Sequence, residues 1–348
     1  MTDLQSEAGP GQSESDPTRS GSGRGADTLG TSALAERQRE LAERMARAAE
    51  RGIKPTREIA ARVSVWRRLG EVWRSRELFG FLVRKEIKVK YKNSVLGFLW
   101  SMLNPAMNLA VFYVLFTFFL PNGIPNFVIY MFSAILVWNL FLTAVLTGTS
   151  TIVNNGGIVK KVAFPREVLS FAAVGSAFMF FLFQSIVLVG FMVVFWHRPA
   201  WGDMWLLIPA LAAIVVLASA LSVFLSAVNV YLRDTMHLVE VILNAWFWAT
   251  PAIYRFAQAA TELRRHHILW LYFLDPVVPV VMTFQRVFYA VPIARSTIKP
   301  HPLEPMLATY GTHWYLLADL AVLGISLVLL LGALVVFGRL EGNFAEEL

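Results

Sequence analysis

The chain has 348 residues, of which 56% are hydrophobic and only 16% charged, with a mean hydropathy of +0.54; this is the composition of a polytopic membrane protein and excludes an ordinary soluble domain. Its formal charge of +7 does not point to nucleic acid, because 19 of the 31 Lys and Arg precede Asn93 and the densest of them flank the first long apolar stretch, where anionic lipid headgroups are the natural partners. The absence of cysteine excludes disulfides, thiolate catalysis and cysteine-ligated metals.

Residues 1–32 are mostly Gly, Ser, Asp and Thr, too poor in large apolar side chains to offset their ordering entropy, and are expected to form a disordered cytoplasmic tail. They contain no short apolar core of a cleaved signal peptide, so the first spanning helix is expected to direct insertion. Residues 33–51, rich in Ala, Glu and Arg, place Glu40 before Arg44 and Glu43 before Arg47 at i,i+4, a pattern for a solvated helix. Two amphipathic helices are predicted next, together making 33–92 a cytoplasmic and interfacial region. In the first, Val65, Trp66, Leu69, Val72 and Trp73 alternate at helical spacing with Arg67, Arg68, Arg74 and Arg76. The second covers about 76–92, with Phe79, Val83 and Ile87 on one side and Arg84, Lys85, Lys88 and Lys92 on the other.

Residues 93–159 contain no Asp, Glu, Lys or Arg, so residue 93 begins a membrane domain that extends to 348. Hydropathy places six spans near 96–120, 127–152, 168–195, 205–232, 238–254 and 314–337, an all-α polytopic fold. A further apolar run at 267–290 contains Asp275, Pro276 and Pro279. A spanning helix tolerates these poorly, so short re-entrant helices in the outer leaflet are expected before the last span. The basic flank before Asn93, and the three cations Lys160, Lys161 and Arg166 in a short loop, place both termini in the cytoplasm of a multi-pass inner-membrane protein.

The residues offer no phosphate-binding Gly-x-x-x-x-Gly-Lys-Ser/Thr loop and no metal-ligand spacing. Two cytoplasmic turns stand out, one containing Asn154, Lys160 and Lys161, the other Arg233 and Asp234; on residue chemistry alone both are also plain turns. Trp100, Phe112, Tyr113, Phe116, Trp138 and Phe141 form an aromatic group in the first two spans, where ring faces could stack on the C–H groups of a ligand or simply pack. Lys88, Lys90 and Lys92, with the turn Ser94-Val-Leu96-Gly97, gather cations and exposed N–H groups at the inner headgroup level, which suits an anion or a simple anchor.

The motifs Lys88-Val-Lys90-Tyr-Lys92, Ser94-Val-Leu96-Gly97-Phe-Leu-Trp100 and Leu103-Asn104-Pro105 recur in a known order with others downstream. These are Lys161-Val-Ala-Phe164-Pro165-Arg-Glu167, Asn229-Val-Tyr231-Leu-Arg233-Asp234, Trp248-Ala-Thr-Pro251-Ala-Ile-Tyr254 and Phe337-Gly-Arg339-Leu-Glu341-Gly-Asn-Phe344. Across about 76–348 the chain resembles the permease subunits of ABC-type polysaccharide exporters, which carry O-antigen, teichoic acid or galactan on a polyprenyl-pyrophosphate lipid. The resemblance implies a homodimer served by two copies of a separate ATPase subunit that binds the ATP and Mg, with no cofactor in this chain. It also implies that the two cytoplasmic turns are coupling helices seated in the ATPase, and that Lys88, Lys90, Lys92 and the Ser94, Leu96 and Gly97 turn border the substrate entrance. An ABC permease for drugs or lipids is the nearest competing reading. A membrane glycosyltransferase using polyprenyl-phosphate sugars is less favoured, since its first external loop would carry acids and residues 121–126 carry none. An ion-coupled carrier fits least, Glu240 and Asp319 being the only acids within the expected spans.

This topology is checked by single cysteines introduced into the cysteine-free chain: positions 122 and 266 should react with an impermeant thiol reagent from outside, and positions 160, 235 and 348 only from inside. External reaction at Leu348 would exclude six crossings.

Overall fold

The structure, a computed structural model, describes residues 65–90, 99–120, 124–294 and 304–348. The tail and helix expected before residue 65 lie outside them. Helices α1 (Val65–Arg74) and α2 (Arg76–Lys90) meet at Ser75, whose hydroxyl and amide both donate to the Glu71 carbonyl, at 2.9 and 3.0 Å, and so close the end of α1. The apolar stripe expected in α2 is the face it buries: Leu82 and Val83 are buried and Phe79 and Ile87 partly so, whereas Arg84 and Lys88 stay exposed.

Helix α3 (Trp100–Val114) continues through a wider turn, Leu115–Phe119. It is followed by α4 (Phe127–Asn154), the short α5 (Gly156–Val159), α6 (Glu167–Val194), and α7 (Leu207–Tyr231), entered through a tight turn at Trp201–Leu206. After α8 (Thr235–Ala249) come three short helices, α9 (Phe256–Arg265), α10 (Leu269–Tyr272) and α11 (Val277–Phe284), the last prolonged by a wide turn to Tyr289. A two-residue antiparallel pairing of Ile293–Ala294 with Glu304–Pro305 precedes the long α12 (Thr312–Leu340) and the terminal α13 (Phe344–Glu347). Among the described residues the protein is thus all-α apart from that bridge. Five stretches among the described residues are long and apolar enough to cross a bilayer: Met102–Phe119, Phe127–Asn154, Glu167–Val194, Trp201–Tyr231 and Thr312–Asn343. Helix α4 is the central one, buried over most of its length against α6, α7 and α8.

The span expected at 238–254 is where sequence and structure part. Helix α8 stops at Ala249 because Pro251 excludes helical geometry from the residue before it, and Thr250 is extended at φ −83° and ψ 138°. Its 15 residues rise about 22 Å, short of a hydrocarbon core of ~30 Å. The chain still passes from one end of the bundle to the other in this region. At one end the Tyr231 hydroxyl donates to the Leu340 carbonyl at 2.7 Å. At the far end of α7 and α12, Arg286 donates to Asp203 at 2.9 Å, to the Tyr310 carbonyl at 3.1 Å and to the Thr312 hydroxyl at 3.1 Å.

Interrupting a helix frees carbonyls that must find donors inside the protein. Buried Gln285 on the wide turn after α11 donates its amide to the Pro251 carbonyl at 2.8 Å, and Tyr130 on α4 donates to the Tyr254 carbonyl at 2.9 Å. The expected break near Asp275 and Pro276 is also present, with the Asp275 carboxylate accepting the Val277 N–H at 2.8 Å to start α11. All eight residues of α11 are buried, so it is a plug in the core at that end of the bundle. Gln285→Leu should therefore lower stability by about 1–3 kcal/mol, the cost of a stranded buried carbonyl, read as a fall in the thermal midpoint of the detergent-solubilised protein; Gly190→Ala, where an added methyl meets nothing within 4 Å, should leave it unchanged.

Candidate functional site

Helix α2 lies against α6 so closely that a Cβ at Gly175 would sit 2.8 Å from the Phe79 ring and 3.0 Å from Val83, which is why this position of α6 is glycine. That seating orients the lysines. Lys85 reaches inward and donates to the Asn155 side-chain carbonyl at 2.7 Å, while Lys88 remains in solvent. Lys90 holds its ammonium 4.1 Å from the centre of the Phe180 ring, a cation–π contact. The loss of water around that ammonium lowers its pKa from the ordinary lysine value. Lys92, Ser94, Leu96 and Gly97, expected beside these lysines, lie outside the described residues.

A cleft of about 600 Å³ opens between α3, α4 and α8. Its walls combine the aromatic rings of Phe112, Phe132, Trp138 and Phe247 with the amides of Asn108, Asn139 and Asn244 and the carboxylate of Glu240, with no Lys or Arg among the described residues that line it. Asn139 is oriented by a 3.2 Å hydrogen bond to the Gln184 carbonyl oxygen. Rings, amides and a carboxylate without a cation suit a neutral, hydroxyl-rich ligand, whose C–H faces stack and whose hydroxyls exchange hydrogen bonds; a phosphate there would meet Glu240 unopposed.

Of the six aromatics singled out by sequence, Phe112 and Trp138 line this cleft. Phe141 is fully buried behind it, between Trp138 at 5.7 Å and Trp246 at 5.4 Å. Tyr113 packs on Phe195, with ring centres 5.1 Å apart, and Phe116 on Phe127 at 4.6 Å. Trp100 is exposed at the start of α3. The amides and Glu240 were missed as a group because they sit on three helices, with no spacing in common; the only local signal was polar residues inside otherwise apolar runs.

At the opposite end of the bundle from Arg286, Asn154, Lys160 and Lys161 are exposed around α5, and Arg233 and Asp234 are exposed in the turn between α7 and α8. Both loops are backed by one apolar cluster that includes Val83, Ile152, Val159, Val168, Val230, Phe337 and Phe344. Sequence reasoning also missed Arg68, Glu167 and Glu341, which meet there. Arg68 donates one guanidinium nitrogen to Glu167 and another to Glu341 at 2.6 Å.

Comparison with known proteins fits this arrangement. The family described as ABC-2 type transporter matches residues 77–289. The O-antigen export system permease protein RfbA of Myxococcus xanthus is 31% identical over 279 residues, covering 80% of this chain and 98% of that protein. A protein of the same description from Klebsiella pneumoniae is 26% identical over 213 residues, covering 61% of this chain and 80% of its own length. On the extent of these matches, with multiple spanning helices and paired loops exposed at one end, the chain belongs to the ABC-2 type transporter family.

Proposed function

We propose that this chain is the transmembrane subunit of an ATP-driven exporter that moves a polysaccharide, carried on a polyprenyl-pyrophosphate lipid, across the cytoplasmic membrane. The observation that carries the reading is the division of chemistry between two places: cations exposed on α2, and a separate cleft between α3, α4 and α8 whose described lining offers rings, amides and one carboxylate but no cation. An amphiphile with an anionic head and a long neutral glycan needs both kinds of surface. The relatives named as O-antigen export permeases support the same assignment.

In this reading two copies of the chain assemble with two ATPase subunits, which bind ATP and Mg. The loops around Lys160 and Lys161 and around Arg233 and Asp234 receive the ATPase, and α8 with the segment after it completes a sixth crossing, leaving both termini in the cytoplasm. Lys88, Lys90 and Lys92, with Ser94, Leu96 and Gly97, take the pyrophosphate from the headgroup layer. Several cations are required together, because one near-surface Lys contributes only ~1 kcal/mol to binding an anionic headgroup. Phe112 and Trp138 then give the sugar chain ring faces along which it slides. Export of a drug or a simple lipid would use the entrance without needing the amides and Glu240 of the cleft.

Two measurements check this on the complex with its ATPase subunit in lipid nanodiscs. Changing Lys88, Lys90 and Lys92 together to Gln should raise the concentration of lipid-linked glycan needed for half-maximal ATPase stimulation by about tenfold or more, with membrane level and basal ATPase retained; an unchanged titration removes the entrance role. Lys160→Glu with Lys161→Glu, or Arg233→Glu, should uncouple ATP hydrolysis from export while the membrane domain keeps its thermal midpoint. Transport at the wild-type rate in these variants would reduce the two loops to simple turns.

A further inference from the structure

Between α1, the start of α6 and the end of α12 lies a buried ionic junction that the transport reading leaves unused. The Arg68 side chain is only 11% exposed and bridges two carboxylates, Glu167 at 2% exposure and Glu341 at 27%. Burial by itself would lower the Arg68 pKa, but the hydrogen bonds and charges of Glu341 and Glu167 outweigh it and raise the pKa overall, so the guanidinium is firmly charged. Space for it is built into α12: a Cβ at Gly338 would lie 2.7 Å from the Arg68 guanidinium carbon. The neighbouring Arg166 donates to the backbone carbonyl of Glu341 and lies over the Phe344 ring.

The same two interface helices hold the Lys160 loop at both of its ends. Lys85 of α2 grips Asn155, whose own amide donates to the Thr151 carbonyl at 2.8 Å, and Arg68 of α1 grips Glu167. The C-terminal Leu348 approaches the same loop, 3.7 Å from where a Cβ of Gly156 would be. Residues distant in sequence are thus tied at every side of one loop.

We infer that Arg68 is a positioning residue that makes the interface helices, the loop from Asn155 to Glu167 and the end of α12 move as one body, so that a displacement imposed on the loop is carried to α2 and its lysines. The inference rests on the ATP-driven reading for the source of the displacement, but not for the rigidity itself. Arginine is required because its planar fork reaches two carboxylates at once; lysine offers a single nitrogen. Loss of Arg68 would leave Glu167 and Glu341 facing each other with the nearer one buried.

The test uses the full chain assembled with its ATPase subunit in nanodiscs, with spin labels on cysteines at the exposed positions Phe81 and Val162. Wild type, diluted with unlabelled chain so that only the distance within one protomer is read, should give one narrow distance that is the same without nucleotide and with trapped ATP. Glu341→Gln, which leaves Arg68 and Glu167 as a balanced pair, and Gly338→Ala, which crowds the guanidinium without changing charge, should each broaden it. Both should also cut glycan stimulation of the ATPase by about fivefold or more, the lower range of coupling between linked sites, at unchanged basal ATPase and expression. Arg68→Lys should fall between these variants and wild type. A narrow distance and full stimulation in both variants would overturn the inference, as would a wild-type distance that changes with nucleotide. If the wild-type complex shows no glycan stimulation, the export reading fails while the label distances still decide the role of Arg68.

Discussion

Within a hydrocarbon layer no water is present to satisfy a backbone N–H or C=O, and this constraint shapes the described apolar helices and their interruptions. Helices meet it by themselves wherever the sequence lets them run. Where Pro251 and Pro276 interrupt them, the freed groups are met by side chains from distant elements: Gln285 on the Pro251 carbonyl, Tyr130 on the Tyr254 carbonyl, and Asp275 on the Val277 amide. The end of the bundle that carries Arg286 is therefore an irregular region made stable by buried polar side chains rather than a set of loops. Tyr289, which donates to the Pro125 carbonyl at 2.8 Å, extends the same repair to the turn between α3 and α4.

The end that carries α1 and α2 is organised differently, by charge. Cations on α1 and α2 would otherwise stay in the headgroup layer as an anchor. Here some of them turn inward: Lys85 to Asn155, Arg68 to Glu167 and Glu341. Others, Arg84 and Lys88, keep to the solvent side. One pair of helices thus presents a cationic surface and is fastened at the same time to the loop that carries Lys160 and Lys161.

Between these ends, the cleft bounded by α3, α4 and α8 has a chemistry that neither end shares. Its carboxylate and amides lie among aromatic rings. A mixed surface of that kind combines ring faces that can stack on C–H groups with amides and a carboxylate that can exchange hydrogen bonds with hydroxyls. Helix α8 contributes Glu240, Asn244 and Phe247 to it, so the helix that Pro251 shortens is also the one that gives the cleft its polar wall.

Much of this was legible in the residues. The charge-free run from 93 to 159 and the hydropathy that follows determine an all-helical membrane domain, because a long apolar stretch has one stable backbone solution in lipid. The ends of α4, α6 and α12 fall within a few residues of their expected places. The buried stripe of α2, the break at Asp275 and Pro276, and the exposure of Lys160 and Arg233 follow equally from local pattern. What the sequence did not determine is which groups meet. No spacing links Arg68 to Glu167 and Glu341, or Gln285 to Pro251, since each contact joins helices whose relative placement depends on the packing of all the others. Only the tertiary structure decided that Trp138 faces a cleft while Phe141, three residues on, is buried behind it: both lie on an apolar helix with almost no amphipathic signal, and the side each ring takes is set by the neighbours of α4, not by its own sequence.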